Sequence, residues 1–194
     1  ARNNLSIDFF YQRYKYINSM NLKDCIRSVP NYPKKGILFR DISTLIENEK
    51  AFAKAIDQII ERTKKYKIDK IAAIESRGFV FASAVSYLLK KPFVMLRKKN
   101  KLPAETHSVD FELEYGSATI EVHKDSINKA DSILIIDDLI ATGGTAEAAA
   151  KLVEISKGKI AAFVFVINLF DLGGSNNLIK KGYKVESLID FPGH

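Results

Sequence analysis

Ile133-Leu134-Ile135-Ile136-Asp137-Asp138 is the stretch that most narrows what this chain can become, four aliphatic residues closed by two adjacent carboxylates. Such a run is too short for a buried helix and reads as a strand buried on both faces, the mark of a parallel sheet. Past Leu139-Ile140 comes the small turn Ala141-Thr142-Gly143-Gly144-Thr145, and then Ala146-Glu147-Ala148-Ala149-Ala150-Lys151-Leu152-Val153, which has the composition of a helix. The turn therefore lies between a strand end and a helix N-terminus, where free backbone N–H groups and the positive end of the helix dipole favour a phosphate. Thr142 and Thr145 add hydroxyl donors, and Gly143 and Gly144 let the backbone approach an anion closely. Asp137 and Asp138 repel phosphate, so they face something else, sugar hydroxyls or a hydrated Mg2+. Phosphate donors beside hydroxyl acceptors describe a site for ribose 5-phosphate. A P-loop is disfavoured, because the Walker lysine is absent and Ala146 follows the last Thr.

The rest of the chain repeats the alternation. Ala51-Phe52, Ala55-Ile56 and Ile59-Ile60 recur at helical spacing and predict an amphipathic helix over 49–66. Ile71–Ile74 reads as a short buried strand, 79–90 as a helix, Phe93–Leu96 as the next strand, and Ile160–Leu169 as a long one. Thr119–His123 alternates as a half-exposed strand would, and Tyr183–Ile189 as an edge strand would. Interleaved strands and helices predict an α/β fold, doubly wound, with a mostly parallel sheet covered on both faces. The 22 residues from Arg97 to Ala118 lack sustained periodicity and read as a lid loop, with Lys101, Glu105, His107, Glu114 and Tyr115 suited to a charged substrate.

At 194 residues with 46% hydrophobic content the chain can bury a full core. No apolar run approaches the roughly 20 residues of a membrane span. The amino terminus shows no signal-peptide h-region, and the single Cys25 allows no internal disulfide, so a reducing, cytoplasmic setting is expected. Neither His107 nor His123 has metal-ligand spacing. Net charge is +7, and Arg97-Lys98-Lys99-Asn100-Lys101 follows a strand on the side where open α/β sheets bind ligands, which suits a polyphosphate. Residues 1–20 are rich in aromatic and amide side chains, and a short packed helix is the expectation there.

Ile133–Thr145 closely resembles the phosphoribosyl-pyrophosphate signature of the type I phosphoribosyltransferases. Tyr32-Pro33-Lys34-Lys35-Gly36-Ile37-Leu38-Phe39-Arg40-Asp41, Glu75-Ser76-Arg77-Gly78-Phe79, Lys101-Leu102-Pro103, Leu113-Glu114-Tyr115-Gly116 and Asn168-Leu169-Phe170-Asp171-Leu172-Gly173-Gly174 narrow the resemblance to the adenine phosphoribosyltransferases. The motifs stand in the family's order from about residue 22 to the carboxyl terminus, and residues 1–20 form an extension outside it.

The resemblance implies a domain over 21–194, with a base-binding hood over about 21–45 and a flexible lid over about 97–118. It implies transfer of the 5-phosphoribosyl group from phosphoribosyl pyrophosphate to adenine, giving AMP and pyrophosphate, with Mg2+ as cofactor. Asp137 and Asp138 would face the ribose hydroxyls, while Ala141, Thr142, Gly143, Gly144 and Thr145 would hold the 5-phosphate. Glu75, Ser76, Arg77, Arg97 and Lys101 would serve the pyrophosphate, with a non-proline cis peptide at 75–76. Phe39 would stack on the base, main-chain groups of Leu38 to Arg40 would read its edge, and Leu139 would cover its opposite face. Glu114, next to the lid's Tyr115, would handle the purine proton near nitrogen 7, and Glu114, Arg77 and Lys101 form the catalytic set. Mg2+ would be held by substrate oxygens and water, with no direct protein ligand and Asp137 and Asp138 at most as outer contacts. A homodimer is implied, with contacts around the pyrophosphate loop and 79–97; nucleic acid and membrane are not expected partners.

Two departures stand out. Lys99-Asn100 replaces the usual Pro-Gly or Arg-Gly before Lys-Leu-Pro, and Ser76 stands where Ala is common. Regulators of the same fold typically carry a separate DNA-binding domain or a basic face; residues 1–20 are too short for a helix-turn-helix domain, and the intact lid with Glu114 points to turnover. A transferase for an oxopurine or orotate would want a side-chain donor such as Lys near the base edge, and Val166–Phe170 offers none.

Overall fold

Each aliphatic run becomes a strand, and Ile133–Ile136 lies in the middle of the sheet they build. The structure, a computed structural model, describes residues 20–113 and 116–193. These fall into two units, one through Gln58 and one from Ile59 to Gly193. The helix expected within residues 1–20 falls almost wholly outside the described residues, as do Glu114 and Tyr115.

In the smaller unit a 3₁₀ turn, Leu22–Cys25, precedes β1 (Arg27–Pro30), which pairs antiparallel with β2 (Leu38–Asp41) so that Val29 stands opposite Phe39. The short α1 (Ser43–Ile46) follows, and the division between units falls inside α2 (Glu49–Thr63). Thr44 Oγ1 ties this unit together, donating to the Cys25 carbonyl at 2.7 Å and accepting the Arg27 N–H at 3.1 Å. Asp41 pairs with Arg27 and accepts the Ser43 N–H at 3.0 Å. Those hydrogen bonds, the Arg27 one first, hold the Asp41 carboxyl down to about 2. Of the residues predicted to recur on one face of α2, Ala51, Ala55, Ile56 and Ile59 are buried and Phe52 and Ile60 partly buried, and the helix ends at Thr63, short of residue 66.

The larger unit runs β3 (Lys70–Ile74), α3 (Arg77–Leu89), β4 (Phe93–Lys98), β5 (Thr106–Leu113), β6 (Gly116–His123), β7 (Ser132–Ile140), α4 (Gly144–Ile155), β8 (Lys159–Leu169), α5 (Gly174–Lys180) and β9 (Val185–Phe191). Its seven-stranded sheet has the order β5-β6-β4-β3-β7-β8-β9. The pairs β4–β3, β3–β7, β7–β8 and β8–β9 are parallel, while β6 joins β4 and β5 antiparallel. This is the expected α/β fold with a mostly parallel sheet. Ile133, Ile135, Phe163 and Phe165 pack with Ala148, Ala149 and Leu152 of α4 in one cluster. Leu134 and Ile136, which alternate with them, are also fully buried, and α3 packs against β3 and β7. Burial on both faces explains the unbroken aliphatic run, each such side chain contributing about 1.5–3 kcal/mol.

Three expectations are corrected. The 97–118 stretch is largely not a loop: β5 and β6 pair from Thr106↔His123 to Leu113↔Gly116. β6 is not half-exposed at its end, since Ile120, Glu121 and Val122 are buried in succession; Glu121 is satisfied there by the Asn100 N–H at 3.0 Å and the Ser108 hydroxyl at 3.2 Å. β7 does not stop at Ile136 but continues through Ile140, with Asp137 opposite Phe165 and Leu139 opposite Ile167.

Candidate active site

Because β7 outlasts its aliphatic run, Asp137 and Asp138 are strand residues held by the ladder. Asp137 Oδ1 accepts the Asp138 N–H at 2.9 Å. Burial first, and the Asp138 charge second, push the Asp137 carboxyl well above the usual carboxylate range. Burial also raises Asp138, whereas the Arg77 guanidinium opposes that rise, its Nε 2.7 Å from Asp138 Oδ2. Gly78 explains the tightness: a Cβ there would lie 2.8 Å from Asp137 Oδ1 and 2.9 Å from the Ile136 carbonyl oxygen. The start of α3 thus lies directly on the carboxylate strand, and only glycine fits.

The chain leaves β7 at Ala141, and α4 begins at Gly144. Gly143 caps the helix with φ +94, a conformation that glycine reaches without steric cost, and among the described residues no side-chain hydrogen bond caps the first turn. Thr142 is exposed, Thr145 half-buried, and the first-turn acid Glu147 is ion-paired to Lys181. Helix N-terminal N–H groups beside two threonines give this turn donors of the kind that suit an anion. Two segments pack on it from elsewhere. Gly174 N donates to the Ala141 carbonyl at 3.0 Å, and a Cβ on Gly144 would lie 3.2 Å from the Glu112 carbonyl oxygen of β5.

Beside this turn, β3 ends at Ile74 and α3 starts at Arg77, so Glu75-Ser76 forms the joint, and its peptide is cis as expected. Glu75 receives Arg97 on both oxygens, Nε at 3.3 Å and Nη2 at 3.2 Å, together with the Lys98 N–H at 3.0 Å. The Arg97 hydrogen bond is the main reason the Glu75 carboxyl lies below its ordinary range. Arg97 Nη1 also donates to the Lys101 carbonyl at 3.1 Å. The structure therefore brings Glu75, Arg97 and Lys101 of the predicted pyrophosphate set into one network, while Ser76 and Arg77 open the adjoining helix.

Of the predicted base contacts, Leu38, Phe39 and Arg40 lie on β2 in the smaller unit and Leu139 on β7 in the larger. Phe39 is half-buried with its ring edge-on to Tyr32 at 5.1 Å. Arg40 is buried, donates to Ser28 Oγ at 2.5 Å, and has its guanidinium pKa lowered by that burial. Glu114 and Tyr115, predicted for the chemistry and the lid, lie outside the described residues. From sequence Gly78 counts only as part of the backbone-donor stretch Glu75–Gly78 and Gly174 has no role, although close backbone packing requires glycine at both.

The chain matches the phosphoribosyl transferase domain over residues 43–191. The adenine phosphoribosyltransferase of Pelagibacter ubique (strain HTCC1062) is 84% identical over 175 residues, 90% of this chain and 100% of that one. The same enzyme of Nitrosomonas eutropha is 52% identical over 172 residues, covering 89% and 99%. The adenine phosphoribosyltransferase structure from Thermoanaerobacter pseudethanolicus has a TM-score of 0.84 at 44% identity, covering 88% of this chain and 98% of that one. That from Saccharomyces cerevisiae, complexed with an imino-altritol bisphosphate and adenine, has a TM-score of 0.81 at 37% identity, covering 91% and 99%.

Proposed function

The chain belongs to the adenine phosphoribosyltransferases, transferases of purine salvage, and from that premise we propose a Mg2+-dependent displacement in which adenine replaces pyrophosphate on carbon 1 of phosphoribosyl pyrophosphate. The observation that carries this reading is one strand-turn-helix, Asp137 to Thr145, that joins two carboxylates to an anion-receiving turn. In it the Ala141–Thr145 backbone and hydroxyls hold the 5-phosphate, and Asp137 and Asp138 accept from the ribose hydroxyls. Arg77, at the head of α3 and already within 2.7 Å of Asp138, turns toward the pyrophosphate. Arg97 and Lys101 serve the same group, with Glu75 and Ser76 forming the joint that orients them. The transition state has oxocarbenium character, so fixed charges around the sugar and leaving group supply most of the acceleration.

The likeness assigns Leu38, Phe39, Arg40 and Leu139 to the base, and Glu114, with Tyr115 beside it, to the purine proton. The hard oxygens of Asp137 and Asp138, one engaged with a backbone N–H and the other with Arg77, suit outer contacts to a hydrated Mg2+ better than direct ligation. When bound, Mg2+ would neutralise pyrophosphate charge.

Val80, Tyr87 and Leu88 of α3 and Met95 of β4 are exposed, Tyr87 by 81%, and this exposed apolar surface within 79–97 supports a homodimer. Among the described residues no helix is long and apolar enough to cross a membrane, and the lone Cys25 fits a cytoplasmic setting. Comparing turnover of adenine, hypoxanthine and guanine tests the reading. Adenine alone should release pyrophosphate; activity only with an oxopurine would overturn the base assignment.

A further inference from the structure

Asn168-Leu169-Phe170-Asp171-Leu172-Gly173-Gly174 lies outside every group assigned to substrate, yet it touches the site. We propose that Asp171 and Gly174 are positioning residues for the 5-phosphate turn, fixing the Ala141–Gly144 backbone from behind. β8 ends at Leu169, a 3₁₀ turn spans Phe170–Leu172, and Gly173, at φ +81, redirects the chain into α5. Gly174 then meets the phosphate turn backbone to backbone. Its N–H donates to the Ala141 carbonyl at 3.0 Å. A Cβ on Gly174 would lie 2.3 Å from that oxygen, 2.7 Å from Gly143 N and 2.8 Å from the Thr142 carbonyl carbon. In the reverse direction, a Cβ on Gly143 would lie 3.0 Å from Gly174 Cα. No methyl group fits at this contact without moving main chain.

The corner that carries Gly174 is itself pinned. Asp171 Oδ1 accepts the Gly193 N–H at 2.6 Å. Gly193 lies against Leu172, whose Cγ would be 2.6 Å from a Cβ at that position. Phe191, just before it, is buried and paired in register with Leu169. The end of β9 thus fixes the 3₁₀ turn, the turn fixes Gly174, and Gly174 fixes the backbone whose N–H groups would hold the anion. Sites of this kind need their donors placed to about 0.5 Å, which makes a support that touches no substrate matter for affinity.

This inference rests on the assignment of the turn to the 5-phosphate. The test measures kcat, both KM values and Tm for Asp171→Ala, Asp171→Asn, Gly174→Ala and Thr142→Ala. Asp171→Ala should raise KM for phosphoribosyl pyrophosphate about fivefold, the worth of one hydrogen bond, and leave KM for adenine unchanged. Asp171→Asn keeps an acceptor oxygen and should restore the wild-type KM, while Gly174→Ala should raise it on the order of tenfold or more. Should Gly174→Ala fail to fold, the Asp171 pair still decides. An Asp171→Ala enzyme with lowered Tm but unchanged KM, or with both KM values raised alike, would overturn the positioning role if Thr142→Ala weakens phosphoribosyl pyrophosphate. No effect from Thr142→Ala either would overturn the assignment of the turn itself.

Discussion

Arg77 Nε lies 2.7 Å from Asp138 Oδ2, so a side chain assigned to the pyrophosphate and one assigned to the ribose hold each other. Asp138 is buried and Arg77 half-exposed, which makes the pair asymmetric. The arginine can swing to another anion at modest cost, whereas the carboxylate depends on it for charge compensation. On the proposed reading, binding of phosphoribosyl pyrophosphate would exchange one ion pair for an Arg77–pyrophosphate contact and an Asp138–ribose contact.

That exchange has a pH signature. Burial raises the Asp138 pKa and Arg77 restrains the rise, so Arg77→Gln should raise it further. The ionised form is the one that accepts from ribose hydroxyls. KM for phosphoribosyl pyrophosphate in the variant should therefore climb more steeply than in wild type as pH falls from neutral. Parallel profiles would show that Arg77 does not tune the carboxylate.

Gly78→Ala would place a methyl 2.8 Å from Asp137 Oδ1 and 2.9 Å from the Ile136 carbonyl oxygen. Relief requires moving α3 or the carboxylate strand, an overpacking cost of about 1–3 kcal/mol. We expect kcat/KM for phosphoribosyl pyrophosphate to fall at least tenfold, with a Tm loss of a few degrees. Steady-state kinetics and thermal melting check both.

Asp41 is held at about 2 in the folded chain, below its ordinary value of about 3.9. A depressed carboxyl pKa contributes stability that is complete above the unfolded value and is lost as pH falls through the folded one. The Tm advantage of wild type over Asp41→Asn should be constant above pH about 5 and shrink between about 4 and 2. Melting curves across that range decide it; a constant gap would contradict the Arg27–Asp41 account.

Leu88 is 53% exposed beside Tyr87 on α3, so charge there should not disturb the core. Leu88→Glu should leave the circular dichroism spectrum unchanged but shift sedimentation from dimer toward monomer. A wild-type chain that sediments as a monomer would refute the dimer assignment.

The sheet was legible because its central strands are aliphatic without interruption, and the Ile133–Thr145 turn because strand, glycines and helix composition follow one another directly. The β5–β6 hairpin was missed although His107, Val109 and Phe111 alternate with Ser108, Asp110 and Glu112. That alternation is the signature of a half-exposed strand, and it was diluted by reading all 22 residues from Arg97 to Ala118 as one stretch, whose aperiodic first part is Arg97–Glu105. The Arg77–Asp138 and Glu75–Arg97 pairs join residues 61 and 22 positions apart, and sequence spacing cannot report that. Gly174 illustrates the other limit: its value lies in an absent side chain, which a composition argument cannot register.

The most direct measurement is adenine-dependent release of pyrophosphate from phosphoribosyl pyrophosphate with Mg2+, for wild type beside Asp137→Asn/Asp138→Asn. Wild type should turn over robustly, and the double variant should be weakened at least a hundredfold in kcat/KM, the worth of two charged hydrogen bonds to the sugar at about 1.5 kcal/mol each. A double variant that turns over like wild type would contradict the central claim that this carboxylate pair holds the ribose.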